Sequence, residues 1–159
     1  MVENKYLTEL LNLFKPVSLK ELEDKELLNR RDLKFIFPDS MLPGIFEKLL
    51  EFQNVLDING SRIFNYNNNY FDTDEHELYK LHHNGKLNRL KFRNRHYCEK
   101  DTNFFEIKTK TNKSKTEKLR IECDNIDSEL TKDCRDFIYE NTSYNPNMLW
   151  IAPTGQATW

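Results

Sequence analysis

LNRLKFRNRHY at residues 87–97 is followed closely by FFEIKTK at 104–110 and EKLRIEC at 117–123. Successive side chains on a β-strand point to opposite faces. In the first segment Arg89, Lys91, Arg93 and Arg95 share one face, and Leu90 and Phe92 take the other. In the second, Glu106, Lys108 and Lys110 oppose Phe105 and Ile107; in the third, Lys118, Arg120 and Glu122 oppose Leu119, Ile121 and Cys123. The turns at 99–102 and 112–115 are short enough for antiparallel hairpins. The pattern predicts three adjacent strands, about 87–97, 103–111 and 117–123, with an apolar face under helices and a cationic face opposite.

A face so charged is costly without a partner. Same-face neighbours on a strand lie about 6.5–7 Å apart, and like charges at that spacing repel, more strongly in a partly enclosed site than in water. Glu106 and Glu122 offset a minority of the charge. A polyanion would offset the rest: arginine grips phosphate oxygens with a planar fork, and lysine acts as a compact point charge. Isolated lysines on a sheet often serve only to block edge pairing; Arg-x-Arg beside Lys-x-Lys on adjacent strands is less natural in that role. Lys34, in DLKF, joins the cationic face if its strand enters the same sheet.

The rest of the chain arranges itself around these strands. Residues 3–14 read as an amphipathic helix ending at Pro16. Ser18 and Glu21 form a capping box for a short acidic helix. Residues 32–37 read as a first strand, and Asp39 or Ser40 as the cap of a helix to about Phe52. Asn59-Gly60 supplies the positive φ angles of a tight turn, so 55–66 is expected to be a β-hairpin. Asn67–Asn69 reads as a loop. Asp72 or Thr73 caps a polar helix at 74–82 that stops at His83-Asn84-Gly85. A last helix is expected over 129–140, and the ending IAPTGQATW resembles neither strand nor helix.

Composition narrows the class. The chain has 159 residues and a net charge of −2, yet Lys86–Arg120 holds twelve Lys/Arg against four Asp/Glu. Such concentration points to an anionic partner. No apolar run is long enough to span a membrane, and no signal peptide opens the sequence. Cys98, Cys123 and Cys134 lie far apart, form no zinc spacing and suit a reducing compartment, so a cytoplasmic protein is expected. His82 and His83 point in different directions from a helix and make no two-ligand metal site; His82 can reach an anion or sit at the helix C-terminus. No RNA-recognition or helix-turn-helix pattern accompanies the basic strands, so nucleic acid is not expected as a partner.

RRDLKF, YFDT, YKLHHNGKLNRLKFRNRHY, FFEIKTK and TEKLRI occur in this order over residues 30–123. In this they resemble the VTC domain, the polyphosphate polymerase branch of the CYTH or triphosphate tunnel metalloenzyme superfamily. The resemblance implies an α+β fold built on an eight-stranded antiparallel β-tunnel with flanking helices. It also implies an enzyme that binds nucleoside triphosphate and polyphosphate and transfers a phosphoryl group with a divalent metal, Mn or Mg. By position, Lys34, Arg93, Arg95, Lys108, Lys110 and Lys118 match the family's basic residues. His82 falls where some relatives have arginine, and Glu106 becomes the candidate metal ligand. Arg89, Lys91 and Arg120 join the phosphate-binding set from strand alternation. The double variant Arg93→Ala/Arg95→Ala is expected to abolish phosphate-chain binding and leave the fold intact. Two other functions stay open: a non-catalytic phosphate or polyphosphate module, and a triphosphatase of the same superfamily. Arg30-x-Asp32-x-Lys34 stands in place of the hydrolases' Glu-x-Glu-x-Lys, which counts against the triphosphatase. The expected organisation is a helical segment at 1–29, the first part of a tunnel domain at 30–145, and an irregular tail at 146–159 read as a truncation. An incomplete tunnel would leave sheet edges open to self-association.

Overall fold

A computed structural model of the chain describes residues 4–23, 35–112, 116–124 and 129–152. The chain forms two compact units, Met1–Phe64 and Asn65–Trp159.

The first unit holds α1 (Asn4–Asn12), β1 (Lys15–Val17), α2 (Leu19–Glu23), α3 (Leu42–Leu49) and β2 (Asn54–Leu56). The capping box forms as expected: the Ser18 amide donates to the Glu21 carboxylate at 2.8 Å and the Glu21 amide to Ser18 Oγ at 3.3 Å. Leu10, Phe14 and Val17 are buried, and Phe14 meets Phe46 edge-on with centroids 5.8 Å apart. Arg62 Nη1 donates to the carbonyls of Leu11, in the last turn of α1, and of Phe14, just past it, and its Nε donates to Asp57. These bonds satisfy acceptors that a helix leaves open at its C-terminus.

Three expectations fail in this unit. Residues 35–37 are not a strand, and Phe35 and Ile36 stand exposed. Apolar alternation makes a strand only where a neighbour takes its backbone hydrogen bonds, and no described strand does so here. The following helix is split into a 3₁₀ turn at Asp39–Met41 and α3, with no side-chain cap on either; Pro43 at the first turn of α3 needs no amide partner there. The hairpin is absent too. Asn59 and Gly60 do take positive φ angles of 54° and 84°, closed by an Ile58–Ser61 bridge. However, Asn54–Leu56 pairs in parallel with β1, so the turn joins no two strands of one ladder.

The second unit is a five-stranded sheet with neighbours all antiparallel. Its strands are β3 (Tyr66–Asp72), β4 (Arg89–Tyr97), β5 (Thr102–Lys110), β6 (Thr116–Glu122) and β7 (Trp150–Ile151), in the order β6-β5-β4-β3-β7. Helix α4 (Glu77–His83) connects β3 to β4, and α5 (Lys132–Asn141) follows β6. Strands β4, β5 and β6 fall within a residue or two of their expected bounds, and α5 is capped by Thr131, whose Oγ1 accepts from the Cys134 amide at 3.4 Å. Phe71, Leu78, Phe92, Phe105, Ile107, Leu130, Cys134, Ile138 and Leu149 form one core. Phe92 and Phe105 are wholly buried, each contributing about 1.5–3 kcal/mol. The cysteines are free thiols.

Two segments differ from expectation. The triple asparagine is not a loop but the body of β3, with Asn68 opposite Arg95 and Asn69 opposite Asn94. Asparagine is poor in strands, yet here β4 supplies the ladder. Trp150 and Ile151, expected to be irregular, pair with Asp72 and Phe71. The five strands do not close into a barrel among the described residues.

Candidate anion-binding face

Register decides which side chains share the cationic face. Across β4, β5 and β6, Lys91 stands opposite Lys108 and Lys108 opposite Lys118. One row along, Tyr70, Arg93, Glu106 and Arg120 line up across four strands. Arg95 pairs with Asn68 and Phe104 on either side, and Arg89 with Lys110. Opposite residues in a ladder have Cβ atoms about 4.5–5.5 Å apart, and like charges there destabilise the sheet. Three lysines in one row are therefore a concentrated positive site.

Glu106 organises the middle of this face. Its side chain is 1% exposed. Oε2 accepts from Arg93 Nε at 2.8 Å and from Arg93 Nη2, and Oε1 forms an ion pair with Lys118 Nζ. Burial pushes the carboxyl up, but the hydrogen-bonded Lys118 and Arg93 cations outweigh burial and hold it below its ordinary value. Burial likewise works against the Arg93 charge, and Glu106 outweighs it and raises the guanidinium. The stability drawn from Glu106 is thus present above the ordinary glutamate pKa and lost as pH falls through the lowered folded value, since the unfolded chain binds the proton first. Urea midpoints followed from about pH 7 down to about pH 3 should fall more steeply for the wild type than for Glu106→Gln.

The other cations are placed differently. His82, at the end of α4, meets two of them: Arg89 Nε donates to Nδ1 at 3.2 Å, and Lys91 Nζ lies 3.2 Å from Nε2. Arg95 donates to Asn68 Oδ1 at 2.8 Å and lies over the Tyr66 ring at 4.8 Å, with Tyr97 at 5.9 Å. Arg120 stacks on Phe104 at 4.7 Å. These stacks hold guanidinium groups against aromatic faces and leave their edges for an anion. Lys108 stands between Lys91 and Lys118 in the lysine row. Burial first, then the Arg93 charge, pushes its ammonium below its ordinary value; Glu106 opposes, and Lys118 and Arg95 add to the depression.

Nine of the ten expected phosphate-binding residues therefore belong to one array: His82 with Arg89 and Lys91; Arg93 with Lys118 through Glu106; Lys108 and Lys110 in the β5 register; Arg95 and Arg120 over aromatic rings. Lys34 lies outside the described residues. Sequence reading missed Tyr66, Asn68 and Tyr70, whose alternation in YNNNYFD was hidden by the asparagines.

A family model for the VTC domain matches residues 29–150. The chain belongs to the VTC domain family. That places it in a family whose function concerns polyphosphate. No curated protein and no solved structure matches the chain.

For a VTC domain, the divalent metal expected from the resemblance needs carboxylates to hold it. Both Glu106 oxygens face cations here, and among the described residues no group of three or more His, Cys, Asp or Glu side chains gathers. The described residues do not fit a metal held by the protein alone. No helix among them is long and apolar enough to cross a membrane.

Proposed function

We propose that the cationic face of the sheet binds the phosphates of a nucleoside triphosphate and of a polyphosphate chain, and that the domain acts as a polyphosphate polymerase. The observation that carries this reading is the Lys91–Lys108–Lys118 row, with its central ammonium depressed by burial and neighbouring cations. A row of phosphates is the ligand that relieves such repulsion along its whole length. In the reaction, a terminal oxygen of the chain attacks the γ-phosphorus of the nucleotide, the bond to the β-phosphate oxygen breaks, and nucleoside diphosphate leaves. Protein groups align the phosphates and neutralise spread-out charge, and the attacking oxygen needs no base to deprotonate it. The nucleotide enters as its complex with Mn²⁺ or Mg²⁺. We read the described sheet as one wall of a tunnel. β6, its outer strand here, takes further strands from the chain or from a second copy.

The position of Glu106 favours a second reading. Because its carboxylate is held by Arg93 and Lys118, the face also suits a module that binds polyphosphate without turning it over. Incubating the protein with ATP and Mn²⁺ while measuring polymer, free phosphate and bound nucleotide separates these. New polymer supports the polymerase, and binding without turnover supports the module. Phosphate release without polymer supports a hydrolase, and absence of binding overturns the anion site itself.

A further inference from the structure

The cap of α4 comes from outside the helix. His76, the residue preceding it, lies in the left-handed region at φ 53° and offers no side-chain cap. Asp72, at the end of β3 and 4% exposed, supplies it instead. Its Oδ1 accepts from the Leu78 amide and its Oδ2 from the Tyr79 amide, each at 2.8 Å, and Oδ1 also accepts from the Thr73 amide at 2.8 Å. Thr73 Oγ1 takes the Glu77 amide at 3.1 Å. The first three helical amides of α4 are thus tied to Asp72, the last residue of β3, and to Thr73, which follows it. A helix this short gains little from its own hydrogen bonds, so its placement depends on this tie and on buried Leu78. One turn after Leu78 on the same side comes His82, whose ring meets Arg89 and Lys91.

We infer that Asp72 is a positioning residue for the anion site: it pins α4 to β3 so that the His82 ring sits between Arg89 and Lys91 on the cationic face. This rests on the reading of that face as an anion site. Without the carboxylate, the Thr73, Leu78 and Tyr79 amides lose an acceptor, α4 loosens and the His82 ring leaves its place between the two cations. Asp72 then matters to phosphate binding only through His82, a dependence that simple loss of stability would not produce.

Tripolyphosphate titrations on the full chain test it with four proteins: wild type, Asp72→Asn, His82→Ala and the double variant. Asp72→Asn keeps one acceptor oxygen but turns an NH2 group toward an amide that had an acceptor, and this is expected to weaken binding about five-fold. In the His82→Ala background the same change should cost almost nothing. Equal losses in both backgrounds overturn the inference. Should Asp72→Asn fail to fold, Thr73→Ala, which removes only the Glu77 cap, gives the same comparison. The His82 ring ¹⁵N resonances provide a readout independent of binding. If they shift in Asp72→Asn at a temperature where circular dichroism is unchanged, the positioning role is supported; unmoved resonances overturn it. A wild type that fails to bind tripolyphosphate sinks the reading of the face, and the resonances still decide the role of Asp72.

Discussion

Lys108→Glu should weaken tripolyphosphate binding more than any other single change on the sheet, by about 100-fold or more. The magnitude follows from position. Lys108 is the middle of the lysine row, opposite Lys91 on one side and Lys118 on the other. A charge-assisted hydrogen bond to phosphate contributes about 1.5–3 kcal/mol, and reversal replaces that attraction with repulsion at the centre of the ligand path. In the free protein the new carboxylate would relieve repulsion from Lys91 and Lys118, so the fold should hold or gain slightly; isothermal titration beside thermal melting separates the two effects. The pH dependence offers a sharper check. Burial and neighbouring cations lower the Lys108 ammonium below the ordinary lysine value. Bound phosphate favours the charged form, so binding on the alkaline side takes up a proton and affinity falls as pH rises through the lowered value. Arginine stays protonated throughout that range, so Lys108→Arg should flatten this alkaline decline. A wild-type affinity constant across the alkaline range would mean that Lys108 does not meet the anion.

Strand periodicity made the face legible because it is a local property. Arg89 to Arg93 and Glu106 to Lys108 alternate with apolar residues, and once neighbouring strands pair in register, alternation alone places the charges together. The partnerships within the face were not legible. Nothing in FFEIKTK says that Glu106 is taken up by Arg93 from one strand and Lys118 from another, because register and side-chain reach decide that. The same limit explains DLKF and YNNNYFD. Phe35 to Phe37 have strand composition and no described partner strand, whereas Tyr66 to Asp72 have poor strand composition and partners on both sides. Pairing, set by the rest of the chain, outweighed propensity in both cases. The cap of α4 was legible at Asp72 from residue type. Its consequence for His82 required seeing Leu78 buried and the ring meeting Arg89 and Lys91.

Glu106→Ala is expected to be the most destabilising substitution on this face, costing about 3–5 kcal/mol and lowering the melting midpoint by about 10 °C. The Arg93 side chain is only 10% exposed and Glu106 1%. Removing the carboxylate leaves a guanidinium charge with little solvent and no counter-ion, and breaking a buried pair costs far more than the pair is worth as a whole. Lys118, at 36% exposed, can turn toward water and should lose less. This corrects the expectation that Arg93 and Arg95 can be removed together without harm to the fold. Arg93→Ala strips Glu106 of its two guanidinium hydrogen bonds and leaves a buried carboxylate with Lys118 alone, so it should destabilise too. Arg95, held by Asn68 and two tyrosine rings, is the arginine whose removal tests binding cleanly. The pair itself is separable from its charge: Arg93→Met with Glu106→Leu replaces both ions by apolar groups and should recover most of the midpoint lost in Glu106→Ala. Melting curves of the three variants check the argument. If Glu106→Ala melts like the wild type, the carboxylate is not what holds the two cations together, and the ordering of the face must come from the backbone register alone.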